Sequence, residues 1–171
     1  TSIFFPRRTL TVPCYLFTWH AYGTWMPDRP QGYVRRGEGI LPCNVVEAQR
    51  YRARQKEQPA AFDEATQKLL IEEATITAQF RRFRLHGVAT ELTHAHLLVS
   101  WHDERSFAQV RRGLRESLTR RLNADANRRR WIVRGGSRRR VLDRKHFDHL
   151  MNSYLPKHSG WKWREDRGLY L

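Results

Sequence analysis

Two histidines, His94 and His96, stand two residues apart in the most apolar stretch of the chain, which reads LTHAHLLV at positions 92–99. In an extended strand, successive side chains alternate between the two faces of a sheet. Both imidazoles would therefore point to one face, while Ala95 and Leu97 point to the other. Imidazole is a common metal ligand, so the pattern predicts that the two rings share one metal ion. The alternative is an accidental pair, because the chain contains eight histidines.

A second set of reactive side chains lies in the segment 146–160, which reads HFDHLMNSYLPKHSG. Residues four apart share one face of a helix, which would place Tyr154 beside His158. We therefore predict that His158 completes a three-ligand metal site and that the Tyr154 hydroxyl lies next to it as a nucleophile. Pro156 weakens this spacing argument, because proline removes a helix hydrogen bond and ends or kinks a helix.

Other residues compete for both roles. His146 and His149, three apart on the same predicted helix, are alternative ligands, or else surface or phosphate-contacting residues. Lys157 would either ease deprotonation of Tyr154 or be solvated. A helical tyrosine is ordinarily a packing residue with a solvated hydroxyl, and it is the histidines that favour Tyr154 as the nucleophile. Five further tyrosines are present: Tyr15, Tyr22, Tyr33, Tyr51 and Tyr170.

Positive charge is concentrated in one part of the chain. The sequence has 32 Lys and Arg against 17 Asp and Glu, a formal net charge of +15, and its pI of 10.9 exceeds the value of about 9 typical of nucleic-acid-binding domains. Positions 111–145 hold 14 basic and three acidic residues, a balance of +11. The planar guanidinium group of arginine matches the geometry of phosphate. Because the arginines are clustered and not spread evenly, they indicate a polyanionic partner and not merely a charged surface that keeps the protein soluble.

The residues predicted to contact nucleic acid follow from this patch and from the aromatic content. Tyr22 and Trp25, in a glycine-rich loop, are candidates for stacking unpaired bases, at about 1–3 kcal/mol each. Trp19, Trp131, Trp161 and Trp163 are more typical of packing residues. The predicted phosphate contacts are Arg111, Arg112, Arg115, Arg128, Arg129, Arg130, Arg138, Arg139, Arg140 and Lys157.

The elements that would position these residues follow from hydrophobic periodicity and turn residues. Strands are predicted at 13–20, 82–92 and 93–101, with a short strand or hairpin at 131–133 and 138–142. Helices are predicted at 44–56, 63–80, 106–123 and from 146 through 154. Asp63 would cap the second helix, and Ser106 with Gln109 matches a capping box. The segment 21–41 is predicted to be a functional loop.

The order strand, helix, strand, strand, helix, strand, with a further helix, predicts a ferredoxin-like α+β sandwich. In that fold, helices pack on an antiparallel sheet. No internal repeat or low-complexity linker interrupts the chain, so a single domain spanning 1–171 is expected.

Taken together, these motifs resemble the single-tyrosine HUH transposases, and particularly the REP-associated tyrosine transposases. The segment TWHAYGTWMP at 18–27 is similar to the family's N-terminal strand and the turn after it, and 92–101 is similar to its HUH strand. Tyr154 and His158 are similar to its catalytic tyrosine and to the third ligand four residues later, which in the family is often Gln. The resemblance covers most of the chain.

The resemblance implies a ferredoxin-like core, a Mg²⁺ or Mn²⁺ ion, and single-stranded DNA bearing a hairpin as the substrate. It implies in-line attack of the tyrosine on a phosphodiester, with the metal polarising the scissile phosphate. The resulting 5′-phosphotyrosine retains the bond energy, so a later 3′-hydroxyl can rejoin strands without ATP. Related enzymes build this site within one chain or share a swapped helix, so a monomer and a homodimer are both open.

Two other functions would use the same residues. A non-catalytic, domesticated binder of structured DNA or RNA would share the basic patch and form no covalent adduct. A small metal hydrolase would use the histidines to activate water, and its activity would survive the loss of the Tyr154 hydroxyl.

The remaining sequence features bear on the cellular compartment in which the protein resides. Cys14 and Cys43 fit neither a metal spacing nor a disulfide framework, which favours a reducing environment. The first nine residues lack the apolar core of a signal peptide, and no run reaches the ~20 apolar residues of a membrane span. We therefore expect a soluble, cytoplasmic protein associated with the bacterial nucleoid.

Overall fold

A six-stranded antiparallel sheet forms the centre of the fold, in a computed structural model that describes residues 12–35, 37–125 and 128–171. Its strands, in spatial order, are β6 (Ser137–Arg140), β1 (Cys14–His20), β5 (His94–Ser100), β4 (Arg84–Thr90), β7 (Lys162–Arg164) and β8 (Gly168–Tyr170). A separate two-stranded hairpin consists of β2 (Tyr33–Arg35) and β3 (Gly39–Leu41).

The described helices account for the rest of the regular structure. They are α1 (Val45–Ala53), α2 (Glu64–Arg81), α3 (Phe107–Asp125) and α4 (Arg144–His149), and α4 continues directly into a π-helical segment, Leu150–Tyr154. None of these helices combines the length and apolarity needed to cross a membrane.

The order of these elements along the chain and in the sheet is that of a ferredoxin-like fold. The chain runs β1, α2, β4, β5, α3, β6, and the corresponding strands lie side by side in the order β6, β1, β5, β4. The predicted α+β sandwich with an antiparallel sheet is therefore confirmed. Strands β7 and β8 extend the sheet beyond β4, and the β2–β3 hairpin lies within the predicted loop 21–41. These strands were not predicted, because three residues are too short for a periodicity of two to be read.

The two faces of the sheet carry different cores. Phe17 and Trp19 of β1 and Leu97 of β5 belong to the larger core, which also contains apolar residues of α2 and α3. Leu98, one residue further along β5, belongs to a smaller core with Leu150 of the π-helical segment and its neighbours. The alternation predicted for the strand around His94 and His96 is confirmed, and the even-numbered positions of β5 face the π-helical segment.

The predicted helix starts are confirmed by side-chain hydrogen bonds. The Asp63 carboxylate accepts a hydrogen bond from the Thr66 backbone N–H at 2.8 Å. At the start of α3, the Ser106 hydroxyl accepts from the Gln109 N–H at 3.3 Å, while the Gln109 side-chain oxygen accepts from the Ser106 N–H at 2.8 Å. This reciprocal pair is the predicted capping box.

The last predicted helix differs from the expectation of one α-helix over 146–154. It begins two residues earlier, after Asp143, and it widens into a π-helix from Leu150. The Leu155 N–H donates to the Leu150 carbonyl, which is the i→i−5 bond of a π-helix. Pro156 lacks the N–H that would make the next such bond to the Met151 carbonyl. The Arg164 guanidinium donates to that carbonyl instead, at 2.9 Å.

The basic loop before β6 also differs in detail. The predicted strand 131–133 contributes only one isolated bridge, between Ile132 and Ala21, and the predicted strand 138–142 is observed as β6. Cys14 is buried and Cys43 is exposed, and both are free thiols.

Candidate metal and nucleophile site

The pairing of β1 with β5 creates one wall of the candidate site. In this antiparallel register His20 lies opposite His94, and Thr18 lies opposite His96. Directly opposed residues on one face have Cβ atoms about 5 Å apart, so these side chains are neighbours. The Thr18 hydroxyl and the His96 Nδ1 are 2.7 Å apart.

Three imidazoles converge at this wall. Ligand nitrogens of His94, His96 and His158 all lie within 4.8 Å of one another, the only such histidine, cysteine or carboxylate cluster among the described residues. The ring centroids of His96 and His158 are 4.5 Å apart, and those of His94 and His96 are 4.9 Å apart. The three residues predicted as ligands are therefore brought together, although His158 comes from a turn and not from a helix face.

Tyr154 lies against the same cluster. Its ring centroid is 5.3 Å from that of His96 and 5.1 Å from that of His158. The Lys157 ammonium lies 4.6 Å from the centroid of the Tyr154 ring. The structure thus places the predicted nucleophile next to the predicted ligands, with a cation beside the phenol.

Hydrogen bonds hold the His158 ring in a defined orientation. Its Nδ1 donates to the Leu155 carbonyl at 3.1 Å, which leaves the Nε2 lone pair directed elsewhere. The buried Lys162 ammonium donates to the carbonyls of His158 at 2.8 Å and Gly160 at 2.9 Å. Lys162 and Leu155 therefore fix both the backbone and the ring of His158.

The His96 ring provides the clearest test of whether this site suits a metal. Its Nε2 is buried and has no hydrogen-bond partner among the described residues. An unpaired buried polar atom costs free energy, and a metal ion would satisfy it. Burial, followed by the nearby His158 and His94, lowers the pKa of His96 to about 2, so the ring is neutral and its lone pair is available near neutral pH. The donor set fits a metal.

The chemistry of the donors bears on which metal they would hold. Imidazole nitrogens are ligands typical of transition-metal ions, whereas Mg²⁺ prefers oxygen ligands. A carboxylate is close by, because a Glu91 oxygen lies 3.8 Å from the His94 Nε2. The three histidines could therefore hold a divalent metal ion.

A cleft of about 770 Å³ opens in front of the cluster. His94, His96 and Tyr154 line its wall, and Trp25 and Arg29 line it from the loop after β1. Ser137, the first residue of β6, also lines this cleft. The exposed arginines of β6 follow Ser137 directly along the edge of the sheet.

The predicted phosphate-contacting arginines fall into three groups. Arg138, Arg139 and Arg140 are exposed on the edge strand β6, and the Arg138 guanidinium also lies 4.1 Å from the centroid of the Phe107 ring. A groove of about 430 Å³ along α3 is lined by Arg111, Arg112, Arg115 and also Arg134, which was not among the predicted contacts.

The third group has structural partners. Arg128 donates to the Gln58 carbonyl at 2.6 Å and lies 3.6 Å from a Glu57 carboxylate oxygen. The backbone N–H groups of Arg129 and Arg130 donate to the same carboxylate at 3.3 Å. This loop is tied to residues 57–58, so Arg128 has a structural role whether or not it also contacts nucleic acid.

The two aromatic residues predicted to stack on bases have different surroundings. The Tyr22 hydroxyl accepts a hydrogen bond from the Lys56 N–H at 3.0 Å, and its ring packs against the larger core. Trp25 lines the cleft, with its ring centroid 4.4 Å from that of His20. Trp25 is thus the one of the two that lines the candidate active-site cleft.

The competing ligands and nucleophiles lie elsewhere. His146 and His149 are on α4, outside the histidine cluster. The Tyr15 ring packs among Phe17, Trp101 and Phe107, with centroids 5.5 to 5.9 Å away. Among the six tyrosines, all within the described ranges, Tyr154 alone has ring contacts with the clustered histidines.

Three residues of the site were not predicted from the sequence. Thr18 and Arg29 reach the cleft through strand pairing and loop conformation, and Lys162 reaches His158 through two backbone carbonyls. A lysine in a short apolar and aromatic segment, Trp-Lys-Trp, is the one hint, because buried lysines are rare.

Comparison with known proteins gives few matches. No family model and no curated protein matches the chain. The fold is similar to that of a REP-associated tyrosine transposase bound to a REP hairpin, at 10% identity and a TM-score of 0.46, over 88% of this chain and 68% of the other. It is also similar to a crystal structure from Deinococcus radiodurans R1, provisionally named a transposase, at 11% identity and a TM-score of 0.49, over 92% and 100% of the two chains. Likeness at this distance carries no conclusion about activity.

Proposed function

We propose that this protein is a metal-dependent tyrosine transesterase that cuts and rejoins single-stranded DNA, as a transposase does. The observation that carries the proposal is the contact of Tyr154 with His96 and His158, two of the three clustered imidazoles, in a cleft that begins at a basic sheet edge. A phenol, a cation site and a path for a polyanion are the parts that this reaction requires.

Tyr154 has the role of nucleophile. Its oxygen attacks the scissile phosphorus, and the bond from phosphorus to the 3′ oxygen breaks as the new bond from phosphorus to the phenolic oxygen forms. The phenol proton leaves to solvent, and the departing 3′ oxygen takes up a proton. The Lys157 ammonium, 4.6 Å from the ring centroid, stabilises the developing phenolate by its charge.

His94, His96 and His158 would hold the metal. When bound, the ion withdraws charge from the phosphate oxygens and stabilises the leaving oxygen. Thr18 and Leu155 orient two of the ligand rings through hydrogen bonds to their Nδ1 atoms, so that Nε2 of each is left for coordination. A metal held by these three side chains alone would be able to bind phosphate oxygens as well.

The product of the first step is a phosphotyrosine on Tyr154, which conserves the energy of the phosphodiester. A 3′-hydroxyl of another strand end can attack it, releasing the tyrosine and joining the strands without ATP. The expected outcome is a rearranged strand and not a hydrolysed one.

The proposed substrate is single-stranded DNA next to a hairpin. The cleft at the histidines reaches Ser137 at the start of β6, and the arginines of β6 and of the α3 groove offer phosphate contacts on the surface beyond it. Phosphate contacts of this kind position the strand and carry no sequence information.

A covalent-adduct assay tests the proposal. The protein is incubated with Mn²⁺ and hairpin oligonucleotides that carry a labelled single-stranded flank, and the products are resolved under denaturing conditions. Wild type should give a labelled protein band, and Tyr154→Phe should give none. Tyr51→Phe, which removes an exposed phenol outside the cluster, is the matched control and should behave as wild type.

The alternatives predict different results. No adduct with wild type across many oligonucleotides, together with tight binding, would indicate a non-catalytic binder of structured nucleic acid. Strand cleavage that survives Tyr154→Phe without any covalent species would indicate a metal hydrolase.

A further inference from the structure

Arg29 lies in the loop between β1 and β2, at the edge of the candidate site. Its guanidinium carbon is 4.2 Å from the centroid of the Trp25 ring. The Trp25 ring is in turn 4.4 Å from the His20 ring, and the His20 ring is 5.6 Å from that of His94. A series of neighbouring planar groups, whose aromatic rings are tilted by 38° and 43° to one another, therefore leads from Arg29 to a candidate metal ligand.

The Arg29 charge is not balanced by the carboxylates that line the cleft. Asp28, its neighbour in sequence, forms an ion pair with Arg52. Glu91 lies 3.8 Å from His94 and accepts a hydrogen bond from the Ser159 N–H at 3.4 Å. Within the described residues Arg29 has neither an ion pair nor a side-chain hydrogen bond, and its guanidinium is held by the Trp25 ring.

The Arg29 guanidinium and the candidate ligand His94 line the same cleft. The Arg29 charge would repel a cation held by His94. A fixed, unpaired cation beside a cation site is unfavourable unless an anion lies between the two.

We infer that Arg29 is a phosphate-binding residue of this cleft, a clamp for the backbone phosphate that occupies the space in front of His94. The inference rests on the proposed function and adds a specific subsite to it. Guanidinium matches phosphate oxygens with two parallel hydrogen bonds, and the Trp25 ring restricts the side chain before the substrate arrives. In this arrangement the Trp25 ring holds the Arg29 side chain in place.

If Arg29 binds a backbone phosphate, its contribution to affinity should depend on the charge of the DNA backbone and not on the base sequence. Replacing Arg29 should weaken binding only where a charged phosphate is present to be clamped. An oligonucleotide whose single-stranded flank carries neutral methylphosphonate linkages should be bound equally well by wild type and by an Arg29 variant.

The experiment measures dissociation constants by fluorescence anisotropy in EDTA, without any metal. The probes are one labelled hairpin with a natural phosphodiester flank and the same hairpin with a methylphosphonate flank. Arg29→Gln should weaken binding of the natural flank by about ten- to a hundred-fold, the range of a charge-assisted hydrogen bond. Binding of the neutral flank should change by less than about two-fold.

Two further variants serve as controls. Arg50→Gln removes an exposed arginine on α1 and should leave the affinities for both probes unchanged. Arg29→Lys keeps the charge but not the planar fork, and should recover part of the loss on the natural flank. The thermal midpoint of each variant, compared with wild type, establishes that the protein is folded.

Equal losses on both flanks, or no loss on either, would overturn the clamp. Because binding is measured without metal, the result does not depend on cleavage. If wild type forms no adduct with Mn²⁺, the proposed reaction fails, while the comparison of the two flanks still decides whether Arg29 binds phosphate.

Discussion

His96 is the residue on which the metal hypothesis most directly depends. Its Nδ1 is 2.7 Å from the Thr18 hydroxyl, and its Nε2 is buried without a partner in the described part of the chain. A ligand histidine usually donates its second ring N–H to a neighbouring acceptor, which fixes the ring and the tautomer. Thr18 is placed to be that acceptor.

Removing the Thr18 hydroxyl should therefore weaken metal binding. Thr18→Val keeps the size and shape of the side chain but leaves the His96 Nδ1–H without its acceptor. We expect the affinity for Mn²⁺, measured by calorimetric titration, to fall by about ten- to a hundred-fold. Thr119→Val is the matched control, because the buried Thr119 hydroxyl has no hydrogen-bond partner among the residues that the structure describes and its loss should not affect the metal. Equal Mn²⁺ affinity in both variants would contradict the role of Thr18.

His158 should determine which ion the site prefers. His158→Gln replaces a nitrogen ligand with an amide oxygen, the ligand often found at this position in the resembling family. Oxygen ligands suit Mg²⁺ better than imidazole does. We expect the ratio of adduct formed with Mn²⁺ to adduct formed with Mg²⁺ to decrease in this variant, in the assay that tests Tyr154. A ratio equal to that of wild type would indicate that His158 is not a ligand.

At the scale of elements, the turn after the π-helical segment is the part of the fold that completes the site. Gly160 in this turn packs so closely that a Cβ would come within 2.2 Å of the Thr90 carbonyl oxygen. The Gln67 side-chain oxygen accepts from the Trp161 N–H at 2.9 Å, so α2 also holds this turn. Lys162, from β7, holds it through the carbonyls of His158 and Gly160.

Lys162→Met should loosen this turn and with it the His158 ring. The buried carbonyl of His158 and the partly buried carbonyl of Gly160 would lose their donor, so we expect the free energy of unfolding to fall by about 1–3 kcal/mol. Below the unfolding temperature, the affinity for Mn²⁺ should also fall, because His158 is no longer held in place. Denaturant titration and calorimetry measure the two effects separately.

A purely structural role for Lys162 would lower stability and leave the Mn²⁺ affinity of the folded protein intact. Lys68→Met is a suitable control, because the Lys68 ammonium lies 4.2 Å from the centroid of the Trp161 ring in the same turn. Lys68 pairs with Glu64 at the surface and donates to no backbone carbonyl of the turn. This variant should keep both its stability and its metal affinity.

At the scale of the whole molecule, buried neutral histidines link stability to pH. Burial, followed by the charge of Arg84, lowers the pKa of His86 to about 4, against an opposing effect of Glu165. The His86 Nε2 is 2.8 Å from the Ser100 hydroxyl, at the opposite end of the sheet face from the histidine cluster. The folded state therefore keeps His86 neutral at pH values where the unfolded chain takes up a proton.

The sign of the effect follows from this lowered pKa. The contribution of His86 to stability is complete above pH 6.5, the ordinary pKa, and is lost as the pH falls from there through about 4. The loss amounts to about 3 kcal/mol at most. In EDTA, the free energy of unfolding should fall between pH 7 and pH 4, and His86→Gln should show a shallower fall. The same pH slope in wild type and variant would mean that His86 does not carry this linkage.

Several features of the fold and site could be predicted because they depend on local sequence. The period of two in β5 separates His94 and His96 from the core-facing Ala95 and Leu97, whatever strands lie beside it. Caps such as Asp63 depend on backbone groups within three residues. The basic patch depends on composition alone, so its presence could be predicted from the sequence. Its division between a groove on α3 and the edge strand β6 could not be predicted.

The side chains available for chemistry, and those that share a strand face, follow from the order of residues alone. The remaining contacts of the site follow only from the fold, because strand register and turn geometry depend on hydrogen bonds between distant segments. Thr18 meets His96 across 78 positions of sequence. Tyr154 and His158 meet because a π-helix and Pro156 end the helix at a turn held by Lys162, and an uninterrupted α-helix was the simpler prediction from their spacing.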